Sequence, residues 1–135
     1  MAPTRERLFA AASLVVAVVV LGLLYFVNPG TSTLYPTCPF LAFTGCYCPG
    51  YGSLRAIHHL TRGHLATALG LNPLLVLSLP FVGYSLASRA SLALRGRSLR
   101  SFFVPPALIW TLLAVVVLYW VTRNVPAYPF TLLAP

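Results

Sequence analysis

The chain has 135 residues, of which 59% are hydrophobic and 7% are charged. About a quarter of the residues of a soluble domain carry a charge, so this composition excludes a water-soluble globule and indicates a membrane protein. The net charge of +8 comes from arginines that are not gathered into a soluble binding module. We therefore expect the lipid bilayer, and no nucleic acid, as a partner.

Three apolar segments are long enough to cross a bilayer. They predict one membrane domain over residues 1–135, with spans at about 8–27, 72–88 and 104–122. No small-x-small cleavage site follows the first segment, so it is expected to be an uncleaved anchor. In the second, Asn72 is the predicted N-cap, Pro73 the first helical residue, and Pro80 the site of a kink.

The arginines are distributed unevenly between the two sides that three spans would create. One side receives six of them, Arg5, Arg7, Arg89, Arg95, Arg97 and Arg100, and the other receives Arg55, Arg62 and Arg123. The positive-inside rule then predicts a multi-pass protein of the bacterial inner membrane with a cytoplasmic N-terminus, a cytoplasmic basic loop over residues 89–101 and an external C-terminus. Residues 28–71 would face outward.

The outward segment 28–71 interrupts the apolar sequence with a run of Pro, Gly and Cys. Its first half is predicted to be irregular, and Ser53 is predicted to cap a helix that begins at Leu54. At 100° per residue, one arc of that helix carries its polar side chains, Arg55, His58, His59 and Arg62. Gly63 is expected to end or bend it. The predicted fold class is therefore an all-α integral membrane protein with three transmembrane helices plus a short amphipathic helix, interfacial or re-entrant.

Cysteine and histidine supply the chemically distinctive side chains of this segment. Cys38 and Cys48 each precede a proline, and outside the cytoplasm they could form a disulfide. Three inert thiols, including Cys46, are the alternative. Metal or haem ligation is a third, with a ligand set drawn from Cys48, Cys38, His58, His59 and His64. The histidines could instead belong to a polar stripe that faces lipid headgroups and water.

Arg55 lies near a helix start, where an extra positive charge is unfavourable. A residue placed against its local preference often serves a group outside its helix. We expect Arg55 to clamp a carbonyl of the Pro-Gly loop, with ligand binding as the alternative.

The elements "CP", "TG", "CPGYGSLRA", "RGHL" and "NP" follow one another between residues 38 and 73. In that order they resemble a bacterial family of small multi-span membrane proteins of unknown function, whose signature is Cys-Pro-Gly-Cys-Gly…Arg-Ala…Gly-Asp…Asn-Pro. The matching positions are Cys38, Pro39, Thr44, Gly45, Cys48, Pro49, Gly50, Gly52, Arg55, Ala56, Gly63, Asn72 and Pro73.

Tyr51 stands where a second cysteine is usual, and His64 where Asp is common. The resemblance implies a membrane location and a fold, but no activity or cofactor. If the family uses two cysteines, Cys46 or Cys38 replaces the second one here, or the motif is architectural.

Three classes of function remain open. The first is a structural or interaction subunit that associates with itself or with another membrane protein. The second is a metal-, haem- or redox-active protein that uses Cys48 with Cys38 or a nearby histidine. The third is a homo-oligomeric channel or small transporter, although the spans contain almost no ionisable residues. Because the chain has no Ser-His-Asp set, no second carboxylate and no phosphate-binding loop, we do not expect an enzyme.

Overall fold

A computed structural model describes residues 3–100 and 105–133, and all regular structure within those ranges is helical. The elements in chain order are α1 (Thr4–Phe26), α2 (Pro39–Thr44), α3 (Ser53–Thr61), α4 (Leu65–Leu71), α5 (Pro73–Arg95), α6 (Pro106–Arg123) and a 3-10 helix (Phe130–Leu133).

Helices α1, α5 and α6 are each long and apolar enough to cross a membrane. Their large apolar side chains point away from the protein: Val18 is 68%, Phe81 67% and Trp110 70% exposed. Such a surface is unfavourable in water but suits the hydrocarbon of a bilayer. The predicted class, an all-α membrane protein with three spans and shorter helices, is confirmed.

Helices α1 and α5 are longer than predicted. Helix α1 begins at Thr4, before the predicted start at residue 8, and ends at Phe26. Helix α5 runs on to Arg95, so Arg89 and Arg95 lie in a helix and not in the predicted basic loop. The reason is local: no glycine or proline occurs between the predicted end at residue 88 and Gly96, which ends the helix in the left-handed region at φ +68°. For α6, the predicted start at residue 104 and the predicted end of the basic loop at residue 101 lie outside the described residues.

Helices α1 and α5 form an antiparallel pair. Near the start of α1, Arg7 donates Nε (3.2 Å) and Nη2 (3.1 Å) to the Ala93 carbonyl at the end of α5. One turn and a half further along α1, the Ser13 hydroxyl accepts from Arg89 at 3.1 Å. A cation at a helix C-terminus satisfies orphan carbonyls and complements the helix dipole. The start of α1 and the end of α5 therefore share one end of the bundle.

At the opposite end, α3 and α4 pack on each other and α3 packs on the last turns of α1. Ala56 and His58 are buried in this contact. The Nδ1 of His58 is hydrogen bonded to the Leu24 carbonyl. The prediction of a solvent-facing polar arc is therefore wrong for His58, because a buried carbonyl of α1 gives its imidazole a partner. Helix α3 ends at Thr61, and Gly63 follows with φ +81°, as predicted.

Two local predictions in the outward segment fail. The N-cap of α3 is Gly52, not Ser53, and Ser53 is already helical. The stretch predicted to be irregular contains α2, which starts at Pro39 and ends at Thr44, and Gly45 follows it with φ +70°. Proline is common at the first position of a helix, and a left-handed glycine commonly follows the last. Because this stretch is rich in both residues, the two signals were read as evidence for turns.

Candidate functional site

Residues 48–53, here called the Cys48 turn, lie where the C-terminal end of α6 meets the N-terminal end of α5. Asn72 is 1% exposed and connects this turn to α5. Its Oδ1 accepts from the Leu75 amide at 3.0 Å, which confirms the predicted N-cap. Its Nδ2 lies within hydrogen-bonding distance of the Pro49 carbonyl (3.1 Å) and of Ser53 Oγ (3.0 Å). One side chain thus starts a membrane span and fixes the turn.

Arg123, the last residue of α6, is also 1% exposed. Its Nη1 donates to the carbonyls of Cys48 (3.3 Å) and Tyr51 (3.2 Å), and its Nη2 donates to that of Leu71 (3.4 Å). The guanidinium also lies 5.1 Å from the ring centroid of Tyr119. Carbonyl dipoles and aromatic faces therefore solvate this buried charge. The sequence reading treated Arg123 only as a loop charge and missed this role.

Asn124 extends the attachment of α6. Its Oδ1 accepts from the Tyr47 amide at 2.7 Å, and its Nδ2 donates to the Tyr47 carbonyl at 2.9 Å. A side-chain amide has both a donor and an acceptor, so it can pair with the N–H and the C=O of one residue, as a neighbouring β-strand does. Together, Asn72, Arg123 and Asn124 fix both sides of Cys48.

The structure brings Cys38 and Cys48 together. Their sulfur atoms are 3.5 Å apart, both side chains are half-buried, and Cys46 is exposed. A bridge would need the sulfurs to approach by about 1.5 Å, to the usual bond length. The pair chosen from the sequence as the candidate disulfide is therefore the pair that the fold places in contact.

The two thiols have unequal acidities. Backbone N–H groups at the start of α2, that of Leu41 above all, lower the pKa of Cys38. Burial raises the pKa of Cys48, and the neighbouring Cys38 raises it further. As the pH rises, Cys38 is the first to become a thiolate, stabilised by the S–H of Cys48. Since the thiolate is the reactive form of cysteine, these directions favour Cys38 as the more reactive thiol of the pair.

A cavity of about 660 Å³ opens beside the thiols. Its wall includes Cys38 and Cys48, and also Tyr35, Leu41 and Arg55. The cavity volume falls within the range of small-molecule sites in proteins. A molecule in this cavity could reach both sulfur atoms.

Arg55 does not make the clamp expected of it. Within the described ranges, the side-chain hydrogen bonds to the carbonyls of the Cys48 turn come from Arg123 and Asn72, and none comes from Arg55. The guanidinium of Arg55 lies 5.5 Å from the ring centroid of Tyr51. Arg55 therefore contacts the turn through an aromatic face.

The histidines lie on the α3–α4 hairpin. The rings of His58 and His59 are 5.5 Å apart, and those of His59 and His64 are 6.0 Å apart. Burial, followed by the nearby positive charges, lowers the pKa of His59. Across residues 3–100 and 105–133, no three His, Cys, Asp or Glu side chains are grouped so as to hold a metal ion. The predicted metal set of Cys38, Cys48 and the histidines is not assembled there.

The comparisons with known proteins locate this site within one family match. A family model described as "Protein of unknown function (DUF2752)" matches residues 38–86. The matched part begins at Cys38 and includes the Cys48 turn, α3, α4 and the first half of α5, whereas α1 and α6 lie outside it. No curated protein and no solved structure matches the chain. The family is one of unknown function, so any activity must be argued from the site itself.

Proposed function

We propose that this small membrane protein carries out thiol–disulfide exchange with Cys38 and Cys48. The observation that carries the proposal is the 3.5 Å contact between two thiols of opposite pKa shift in the wall of one cavity. Reactive cysteine pairs combine one stabilised thiolate with a second thiol close enough to resolve the mixed disulfide. An inert buried thiol needs neither a partner nor a cavity.

The exchange balances without a further reactant. The Cys38 thiolate attacks a disulfide RS–SR, forms a Cys38–SR bond and releases RS⁻. Cys48 then loses its proton, attacks the Cys38 sulfur and releases the second RS⁻. The products are a Cys38–Cys48 disulfide and two reduced thiols, and the reverse sequence reduces the bridge.

The proposal also accounts for Tyr51. In the signature that this chain resembles, a second cysteine is usual at that position, and a phenol cannot form a disulfide. The contact between Cys38 and Cys48 supports Cys38, and not Cys46, as the replacement. In this chain the ring of Tyr51 instead packs against Arg55.

We place the site outside the cytoplasm of a bacterial cell. The end of the bundle that carries the dithiol has three arginines, and the other end, with its connecting loop, has six. The positive-inside rule puts the richer end in the cytoplasm, together with the N-terminus. Disulfides are maintained on the opposite side, where this proposal requires them.

A redox titration tests the exchange. The Cys46→Ser protein, purified in detergent, is equilibrated with mixtures of reduced and oxidised glutathione, and free thiols are counted by mass after alkylation. We expect two thiols to disappear together and to return on reduction, and we expect Cys38→Ser and Cys48→Ser to abolish the transition. Thiols that stay free in every mixture, or a bridge that is reduced only when the protein unfolds, would contradict exchange.

An interaction subunit is the second candidate function. Helices α5 and α6 flank an apolar cleft of about 730 Å³, walled by side chains such as Leu77, Phe81 and Leu112. Apolar helix surfaces in a bilayer associate by close packing, with a second copy or with another membrane protein. A cysteine-free variant with Leu112→Cys should cross-link in native membranes, whereas Leu118→Cys, which is outside the cleft, should not. Equal cross-linking at both positions would remove the cleft as the interface.

A further inference from the structure

We propose that the cavity beside Cys38 and Cys48 binds a small thiol or disulfide that carries an anionic group, and that Arg55 binds the anion. This assignment of a substrate class rests on the proposed thiol–disulfide exchange for its sulfur chemistry. The new part is the binding of an anionic group by Arg55, which thiol–disulfide exchange alone does not require.

The position of Arg55 is built by its neighbours. The space at Gly30 admits its stem, since a Cβ placed on that glycine would lie 3.4 Å from Arg55 Cδ. The ring of Tyr51 then supports the guanidinium from the side, with its centroid 5.5 Å away. Within the described residues no hydrogen bond from this guanidinium is present, so its donors are available in the wall of the cavity. A planar guanidinium binds a carboxylate, sulfonate or phosphate through two parallel bonds.

The charges around the cavity select an anion. Among the residues that the structure describes, Arg55 is the only charged side chain in its wall, and no carboxylate lines it. The one carboxylate of the chain, Glu6, lies in the first turn of α1, at the other end of the bundle. The positive charge of Arg55 also lies in the first turn of α3, where the helix dipole disfavours a cation. A bound anion would relieve both the unpaired charge and the unfavourable dipole.

The shape of the cavity limits the size of the ligand. A volume of about 660 Å³ admits a molecule of roughly dipeptide or tripeptide size and excludes a folded protein domain. The rest of the wall is mostly apolar or uncharged, with Leu41 and Leu54 among its residues. One small molecule in this cavity therefore meets both the dithiol and the guanidinium of Arg55, which suits a ligand that carries a sulfur and an anionic group.

Charge-matched thiol reagents test this assignment. Cys38 is left as the single cysteine, with Cys46→Ser and Cys48→Ser, in neutral maltoside micelles. Its reaction rate is measured with two methanethiosulfonates of similar size, the anionic sulfonatoethyl reagent and the cationic trimethylammonioethyl reagent. With Arg55 present we expect the anionic reagent to react at least about tenfold faster and its rate to saturate with concentration. In Arg55→Gln the ratio should fall to about one, and Arg62→Gln, at the residue that follows the same helix, should keep the original ratio.

A second variant and a measurement in lipid vesicles distinguish anion binding by Arg55 from a loss of fold and from the binding of a lipid headgroup. Gly30→Val keeps the charge but crowds the Arg55 stem, so it should lower the ratio as well. A ratio that is unchanged in both Arg55→Gln and Gly30→Val overturns the proposal. The measurement is repeated in vesicles of phosphatidylcholine with and without phosphatidylglycerol. If the anionic lipid abolishes the Arg55-dependent ratio, a headgroup phosphate occupies the site and the proposal is overturned. The glutathione titration decides exchange separately, because it is an equilibrium measurement whose end point does not depend on how tightly Arg55 binds the reagent.

Discussion

At the scale of single residues, the buried cation Arg123 differs most from its reading in the sequence. Arginine at the end of an apolar span is usually an interfacial charge, with its head in water or among headgroups. Here the side chain turns inward, and three backbone carbonyls accept from it. Those carbonyls belong to residues far from Arg123 in the chain, so no local pattern announced the contact. Asn72, in contrast, was predictable, because its capping bond reaches only three residues along.

Replacement of Arg123 should destabilise the protein strongly. In Arg123→Gln the carbonyls of Cys48, Tyr51 and Leu71 lose their donor in a buried site, and we expect a loss of about 3 kcal/mol in the free energy of unfolding. The control is Arg62→Gln, which removes one exposed hydrogen bond to the Tyr25 carbonyl and should cost much less. Thermal unfolding of both variants in detergent measures the difference. Equal melting temperatures would show that Arg123 does not hold the Cys48 turn.

The two thiols should show different pH profiles. In a protein with Cys38 as the only cysteine, the rate of iodoacetamide labelling should rise with a midpoint below the ordinary thiol pKa, because backbone N–H groups stabilise the thiolate. With Cys48 as the only cysteine, the midpoint should lie above it, because burial disfavours the thiolate. The measurement is the rate of alkylation between about pH 6 and pH 10, a range that brackets the ordinary thiol pKa. Reversed or identical midpoints would contradict the assignment of Cys38 as the nucleophile.

At the scale of elements, the start of α3 shows where local signals were insufficient. Ser53 has the right chemistry for an N-cap, yet its hydroxyl faces Asn72 and Gly52 takes the cap position. The reason is tertiary: at Gly52 the chain passes so close to α4 that a Cβ would lie 2.8 Å from the Leu71 carbonyl oxygen. The same residue has φ +82°. Both conditions require glycine, and only the packing of α4 imposes the first of them.

Gly52→Ala should therefore be poorly tolerated. The left-handed conformation alone costs a non-glycine residue about 1–2 kcal/mol, and the clash with Leu71 adds to this. Gly50→Ala is the matched control in the same turn, since a Cβ there meets nothing within 4 Å. Stability in detergent and the yield of folded protein are the measurements. If both variants were equally stable, the close approach of α4 would not constrain the turn.

At the scale of the whole molecule, the two ends of the helix bundle differ in the residues that they carry. The arginine-rich end joins α1 to α5 through Arg7 and Arg89. The other end assembles the turn, the dithiol, the cavity and the last residues of α6. Helix α6 makes little close contact with α1 or α5 in the described part of the chain, so it is attached mainly through that end. The apolar cleft between α5 and α6 follows from this one-ended attachment.

The predicted orientation is tested on intact cells. In a variant that retains only Cys46, which is exposed, a membrane-impermeant maleimide should label the protein without permeabilisation. Ser98→Cys in a cysteine-free background probes the arginine-rich end and should be labelled only after the membrane is opened. The opposite pattern would place the dithiol in the cytoplasm.

The sequence by itself determined the properties that depend on composition and on neighbours along the chain. Apolar length and the scarcity of charge dictated three membrane helices, while the capping residue Asn72 and the left-handed Gly63 marked helix ends that were predicted. Tertiary structure alone decided that Cys38 and Cys48, paired in the sequence only as one alternative, are in contact, which arginine is buried and which one lines the cavity. These features depend on residues up to 75 positions apart, as between Arg123 and Cys48. The physical reason is that a buried polar group must find a partner wherever the packed helices place one, and no periodicity in the sequence records that choice.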